Sequence, residues 1–181
     1  MPPQPLRLVD GAQLWTIPDA AIQQFVQQGT FADRQLERLV LASGWPQPEL
    51  RTALAKPYAV NLVALSRFLD SPAGLAFLQQ QTQAFRPLRS GRRDLRIEGL
   101  RAAILRSASG GSLSALAILQ ALPTSFVVDL GGVPLQRCSA LPCTTPEQCR
   151  SLLSWWVFLP ACLQAAAMAP APAAAPATAP L

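Results

Sequence analysis

At 181 residues the chain is long enough for one domain with a real core and short for two. Half of it is apolar and 14% is charged, which excludes wholesale disorder, and a net charge of +5 without aromatics among the basic residues falls short of a dedicated nucleic-acid binder. The chain has no histidine, which excludes a Ser-His-Asp triad, a Cys-His pair and any histidine metal ligand.

The composition changes along the chain. Residues 1–130 hold 22 of the 25 charged side chains and no cysteine. Residues 131–181 hold all four cysteines, eight of the eighteen prolines and three charges, Arg137, Glu147 and Arg150. We therefore expect a folded helical domain over 1–130 and a Cys-containing, Ala/Pro-rich, partly disordered tail over 131–181. Met1–Pro5 has neither a basic n-region nor an apolar h-region. Taken as it stands the chain is expected in the cytoplasm, and exported if the true start lies upstream.

PLRLVDGAQLWTI (5–17) reads as a β-hairpin, with Asp10-Gly11 suited to a tight two-residue turn. Pro18-Asp19 opens a helix with Ile22, Phe25 and Val26 on one face, and Gly29 stops it. A second helix starts at Ala32 or Asp33, turns Leu36, Leu39 and Val40 inward, and ends at Gly44. A third runs from about Gln47 to Ala55 and stops before Lys56-Pro57, because the residue preceding a proline avoids the helical region. Asn61 caps a fourth, carrying Leu62, Leu65, Phe68 and Leu69. Ser71 is an N-cap with Pro72 at the first helical position, so LSRFLDSPAG makes a sharp corner into a fifth helix. That helix is expected to bury Leu75, Leu78, Thr82 and Phe85 and to expose Gln79, Gln80, Gln81 and Gln83. RPLRSGRRDLR (86–96) reads as a basic loop. A sixth helix, about Asp94–Ser109, places Ile97, Leu100, Ile104 and Ala108 inward. Ser112 is expected to cap LSALAILQAL, apolar nearly all round and so the central buried helix. SFVVDL (125–130) reads as a strand beside the N-terminal hairpin. The predicted fold class is mainly α: a bundle of about six short helices closed by a small sheet of the hairpin and the strand at about 125–130.

Few residues point to chemistry. SASGGSLS (107–114) lacks the G-x-S-x-G spacing of a nucleophile elbow and the Gly-Lys-Ser/Thr ending of a phosphate loop. Most of the nine acidic residues of 1–130 stand beside arginines on predicted polar helix faces; Glu98 and Arg101 are three apart, as are Arg34 and Glu37, the spacing of surface ion pairs. Cys138, Cys143, Cys149 and Cys162 are separated by four, five and twelve residues, without the close pair that zinc sites favour. Disulfides among them fit an exported chain. SLLSWWVFLPACLQAAAMA (151–169) is uncharged and near span length, but Pro160 interrupts it, and an interfacial or packed helix fits better than a membrane span. The strongest polar feature is Arg86, Arg89, Arg92, Arg93 and Arg96, five arginines within eleven residues. Their forked donors suit a phosphate, a lipid headgroup or an acidic partner; the alternative is a solvated basic loop. No catalytic residue, metal ligand or cofactor site is assigned.

IPDAAIQQFVQQG, LSRFLDSPAGLAFLQQ, LRIEGLRAAILRSASGGSLSALAILQALPT and FVVDL together resemble a known family. It is the small helical domain of unknown function found N-terminal to α/β-hydrolases of cyanobacterial type. The resemblance covers about residues 6–130. In many relatives a secretion signal precedes the domain and a serine-hydrolase domain follows it; this chain departs from that layout at both ends, so no hydrolase residue carries over. The resemblance implies a non-catalytic accessory or interaction domain, its partner a hydrolase domain or another protein. Two other readings stay open. One is the truncated N-terminal part of a serine α/β-hydrolase. The other is a peripheral protein that meets a membrane surface through 151–169 and the basic loop.

Overall fold

The structure, a computed structural model, describes residues 4–88, 93–129 and 152–169. β1 (Leu6–Asp10) and β2 (Gln13–Ile17) pair antiparallel from Leu6↔Ile17 to Asp10↔Gln13. The turn residues are thus Gly11 and Ala12, one place later than the expected Asp10-Gly11. Gly11 has φ 57° and Ala12 does not have positive φ, the pattern of a II′ turn, which wants glycine at its first central position.

The helices follow as the local signals direct. α1 (Asp19–Gln28) ends on Gly29 in the left-handed region. α2 (Arg34–Ala42) is capped by Asp33, whose carboxylate accepts from Leu36 N at 2.9 Å. α3 (Gln47–Ala55) stops before Lys56-Pro57, and β3 (Tyr58–Ala59) follows. α4 (Leu62–Asp70) is capped by Asn61, and α5 (Pro72–Gln81) by Ser71. α6 (Arg93–Ser107) passes through a 3-10 turn at Ala108–Gly110 into β5 (Ser112–Leu113). α7 (Ala115–Ala121) is capped by Ser114 and not by Ser112, because Ser112 and Leu113 are drawn into pairing with Ala59 and Tyr58.

Leu78, Thr82 and Phe85 are buried as expected, the last two beyond the end of α5, but Gln81 is buried and Leu75 is not; α5 thus departs from the expected face in part. It buries Gly74, Leu78 and Gln81, while Leu75 is 39% exposed. The corner is the reason. Gly74 lies so close to α4 that a Cβ there would stand 1.9 Å from the Phe68 carbonyl oxygen and 2.7 Å from Leu69 Cα. With position 74 held against α4, positions 78 and 81 share its face and Leu75 turns outward. Leu62, at the first position of α4, is likewise outward, 41% exposed.

The second departure is a strand inside the supposed end of α5 and basic loop. β4 (Phe85–Pro87) pairs antiparallel with β6 (Phe126–Asp129), which pairs parallel with β1, giving the order β2-β1-β6-β4. Leu88 N donates to Ser125 O and Asp129 N to Ala84 O, so the even-numbered residues of this segment bond to β6. The nitrogen of Pro87 therefore faces the open edge, where a missing N–H costs no ladder bond. Three residues are too few to show a period, so nothing local announced the strand. The expected strand beside the hairpin is β6.

The core lies between one face of this sheet (Leu8, Ile17, Phe85, Phe126, Val128) and the helices, whose expected inward residues Ile97, Leu100, Ile104 and Ala108 are all buried. It also draws on α8 (Leu152–Met168), which packs on α4, α7, β3 and α3 and buries Val157, Leu159 and Leu163. No helix among the described residues is long and apolar enough to cross a membrane. The Ala/Pro stretch expected to be disordered falls, from residue 170 on, outside the described residues.

The corner gives a direct test. Gly74→Ala is expected to lower the unfolding free energy by about 3 kcal/mol, since the atom it meets is backbone. Gly110→Ala, with open space around its Cβ, is expected to change it by no more than about 0.5 kcal/mol. Urea titration of the two variants checks the contrast.

Candidate functional site

Of the five arginines, the structure describes the side chains of Arg86 and Arg96. Arg86 projects from β4 on the sheet face opposite Phe85 and the core. Its Nε and Nη2 both donate to Oδ2 of Asp129, at 3.0 and 2.9 Å. Arg86 stands opposite Val127, so Asp129 is its diagonal neighbour on β6, within reach of a long side chain. The pair is partly open to solvent, with side chains 33% and 22% exposed. Arg96, on α6, is half-buried, and its Nε is buried with no acceptor among the described residues. Arg93 begins α6, but its side chain lies outside the described residues, as do Arg89 and Arg92 entirely.

Several carboxylates are tied to structure. Glu98 pairs with Arg101 at 3.2 Å, as its spacing predicted. Arg101 also reaches Asp70 at 3.4 Å and donates to Leu69 O at 3.2 Å, fastening α6 to the end of α4. Asp19 is buried. Its Oδ2 accepts from Gln23 Nε2 at 2.7 Å and its Oδ1 from Gln120 Nε2 at 2.9 Å, which joins α1 to α7. Sequence reasoning missed this link and the Asp129 partner of Arg86. The only signal for the first was one amide, Gln120, on an otherwise apolar helix.

In SASGGSLS, Ser107 Oγ donates to Ile104 O at 2.8 Å, and Ser114 Oγ accepts from Ala117 N at 3.1 Å. Cys162, on α8, is disulfide-bonded, with its partner outside the described residues. No group of three or more Cys, Asp or Glu side chains among the described residues could hold a metal ion. A small hollow between the hairpin and α1–α3 is lined by apolar side chains, among them Ile17, Ile22, Phe25, Leu36, Leu50 and Leu119. It offers a ligand no polar contact.

A known family, described as alpha/beta hydrolase of unknown function (DUF1400), matches residues 11–129, about two thirds of the chain. The chain belongs to this family. The DUF1400 region runs from the hairpin turn to the end of β6 and leaves α8 outside. No curated protein and no solved structure matches the chain. The resemblance read from the motifs holds at the level of the family.

Two predictions follow from the polar contacts. A double-mutant cycle on Arg86→Gln and Asp129→Asn is expected to give a coupling of about 0.5–1 kcal/mol in chemical denaturation, the range of a half-exposed pair. Burial pushes the pKa of Tyr58 up from the ordinary tyrosine value, so the folded state favours the neutral phenol. Its contribution to stability is whole below about pH 10 and is lost as pH rises through the raised folded value. Tyr58→Phe is expected to flatten the alkaline limb of stability against pH, followed by urea titration at stepped pH.

Proposed function

We propose that the chain is a non-catalytic accessory or interaction domain of the kind placed N-terminal to α/β-hydrolases of cyanobacterial type. The observation that carries the reading is a contrast within the family match. The family is described as a hydrolase, yet residues 11–129 of this chain contain no histidine and no G-x-S-x-G. Among the described residues the chain forms helices around a small sheet in which β1 and β6 are the one parallel pair. Ser114, the one serine of 107–114 at a strand-to-helix junction, has an extended backbone (φ −138°, ψ 158°) and caps α7. A nucleophile elbow instead holds its serine on a strained turn with the hydroxyl exposed. On this reading Arg89, Arg92, Arg93 and Arg96 contact an acidic face of the partner, while Arg86 keeps its place beside Asp129.

The family description also favours a second reading, in which these residues are the N-terminal part of a serine α/β-hydrolase. The two separate by intact mass of the protein from its native source: a mass near 19.4 kDa supports a stand-alone domain, and a much larger one the second reading.

The test of the accessory reading is turnover of simple acyl esters by the purified chain. Background rates are expected. Turnover that survives repurification and disappears when Ser109, Ser112 or Ser114 is replaced by alanine would overturn it.

A further inference from the structure

Charge is sorted along the folded chain. Residues 50–69 and 99–128 contain no aspartate or glutamate, and α8 carries no charge at all. The fold brings these three segments to one end. β3 pairs with β5, Tyr58↔Leu113 and Ala59↔Ser112. Val60 N donates to Gly111 O at 2.9 Å, and Gln164 Nε2 of α8 donates to Ala59 O at 2.7 Å. The segments hold five basic side chains: Arg51, Lys56, Arg67, Arg101 and Arg106. Arg51 and Arg101 are tied to helix-end carbonyls. Lys56, Arg67 and Arg106 are exposed and have no carboxylate or other acceptor among the described residues; Lys56 Nζ lies 5.2 Å from the Tyr58 ring centroid.

The same end exposes apolar side chains. Leu62 and Val63, the first two residues of α4, are 41% and 58% exposed, and Met168, the last of α8, is 76% exposed. Val63 and Arg67 are four apart and share a helix face, and Met168 follows Gln164 by one turn. Lys56 stands just before β3, and Arg106 one turn before Gly110, so the two flank the β3–β5 ribbon. The nearest carboxylates in sequence are Asp70, held by Arg101, and Glu49, near the other end of α3 and about 10 Å from Lys56 along its axis.

We propose that this end of the molecule is a contact surface for an anionic lipid bilayer. Leu62, Val63 and Met168 enter the boundary between headgroups and acyl chains, and Lys56, Arg67 and Arg106 meet the lipid phosphates. Long basic side chains lay their stems on apolar surface and keep their charged heads at the headgroups. Tyr58, half-buried beside Lys56, suits the same boundary. An acidic protein would match the charges, but the apolar tips would then need a shaped socket; in lipid they need none. The surface differs from the one suggested by the sequence, since it uses only the last turn of α8 and none of the basic loop. It is independent of the accessory reading, because it requires no hydrolase.

The experiment is co-sedimentation of the full chain with vesicles of equal parts phosphatidylglycerol and phosphatidylcholine. Binding is expected at about 0.01 M salt and is expected to be lost at about 1 M, where charges are screened within a few ångströms. Lys56→Gln and Arg106→Gln are each expected to weaken it about 5-fold, the share of one basic side chain at an anionic surface. Val63→Asp is expected to weaken it about 10-fold. An aspartate in the first turn of a helix favours folding, so that loss is not one of structure. Arg38→Gln and Leu41→Asp, both exposed on α2, are expected to leave binding unchanged. No binding at low salt would overturn the proposal, as would equal binding to vesicles of phosphatidylcholine alone. So would equal weakening by the α2 variants. Loss on replacing Arg89 and Arg92, with none on replacing Lys56 and Arg106, would place the contact elsewhere and overturn it too.

Discussion

The strand β6 is the constraint on which the rest of the structure rests. It pairs with β1 on one side and β4 on the other, so residues 126–129 bring together segments that begin 120 and 41 positions earlier in the chain. Phe126, Val127 and Val128 are all buried, which is possible only for a strand covered on both faces. On the inner face Val128 lies between Leu8 and Phe85 in register, and the Phe126 ring sits where a Cβ on Gly99 of α6 would be. On the outer face Val127 stands opposite Arg86, which is anchored one step along at Asp129. A parallel pair cannot close through a short turn. Everything from α1 to α7 is therefore the connection between β1 and β6, and has to pack within the span that the pair sets.

Arginine does much of the joining between helices. Arg51 on α3 donates to Val26 O and Gln27 O, the last carbonyls of α1. Arg101 on α6 does the same for Leu69 O of α4 and adds Asp70 and Glu98. A helix end leaves carbonyls without partners and carries a partial negative charge, and a forked cation from a neighbouring helix meets both needs. Fourteen arginines against one lysine thus reflect structural use as well as charge. The basic composition is a weaker pointer to an anionic partner than its sum suggests.

The chain sets a family described as hydrolases beside residues in which no hydrolase chemistry is legible. Arg86 on β4 is held by Asp129, and the face of α3, α4, α7 and β3 seats an uncharged helix from outside the family match.

What the sequence determined by itself was whatever acts over a turn or two of helix. Asp33, Asn61 and Ser71 were legible as caps, Gly29 and Lys56-Pro57 as stops, and the inward stripe of α6 from its period, because each depends on neighbours within about four residues. The hairpin was legible too, though its turn sits one residue later because only Gly11 needs a positive φ. Tertiary structure decided the rest. The face that α5 turns inward depends on how closely Gly74 meets Phe68 in another helix, and β4 exists because β6 offers it an edge. Arg86 meets Asp129 across 43 residues and Asp19 meets Gln120 across 101, and neither partner carries a local mark of the other. Side-chain pairs of that separation form only after the sheet has closed, so a reading of local pattern sees Arg86 as one of a run of arginines where the folded chain pairs it with Asp129.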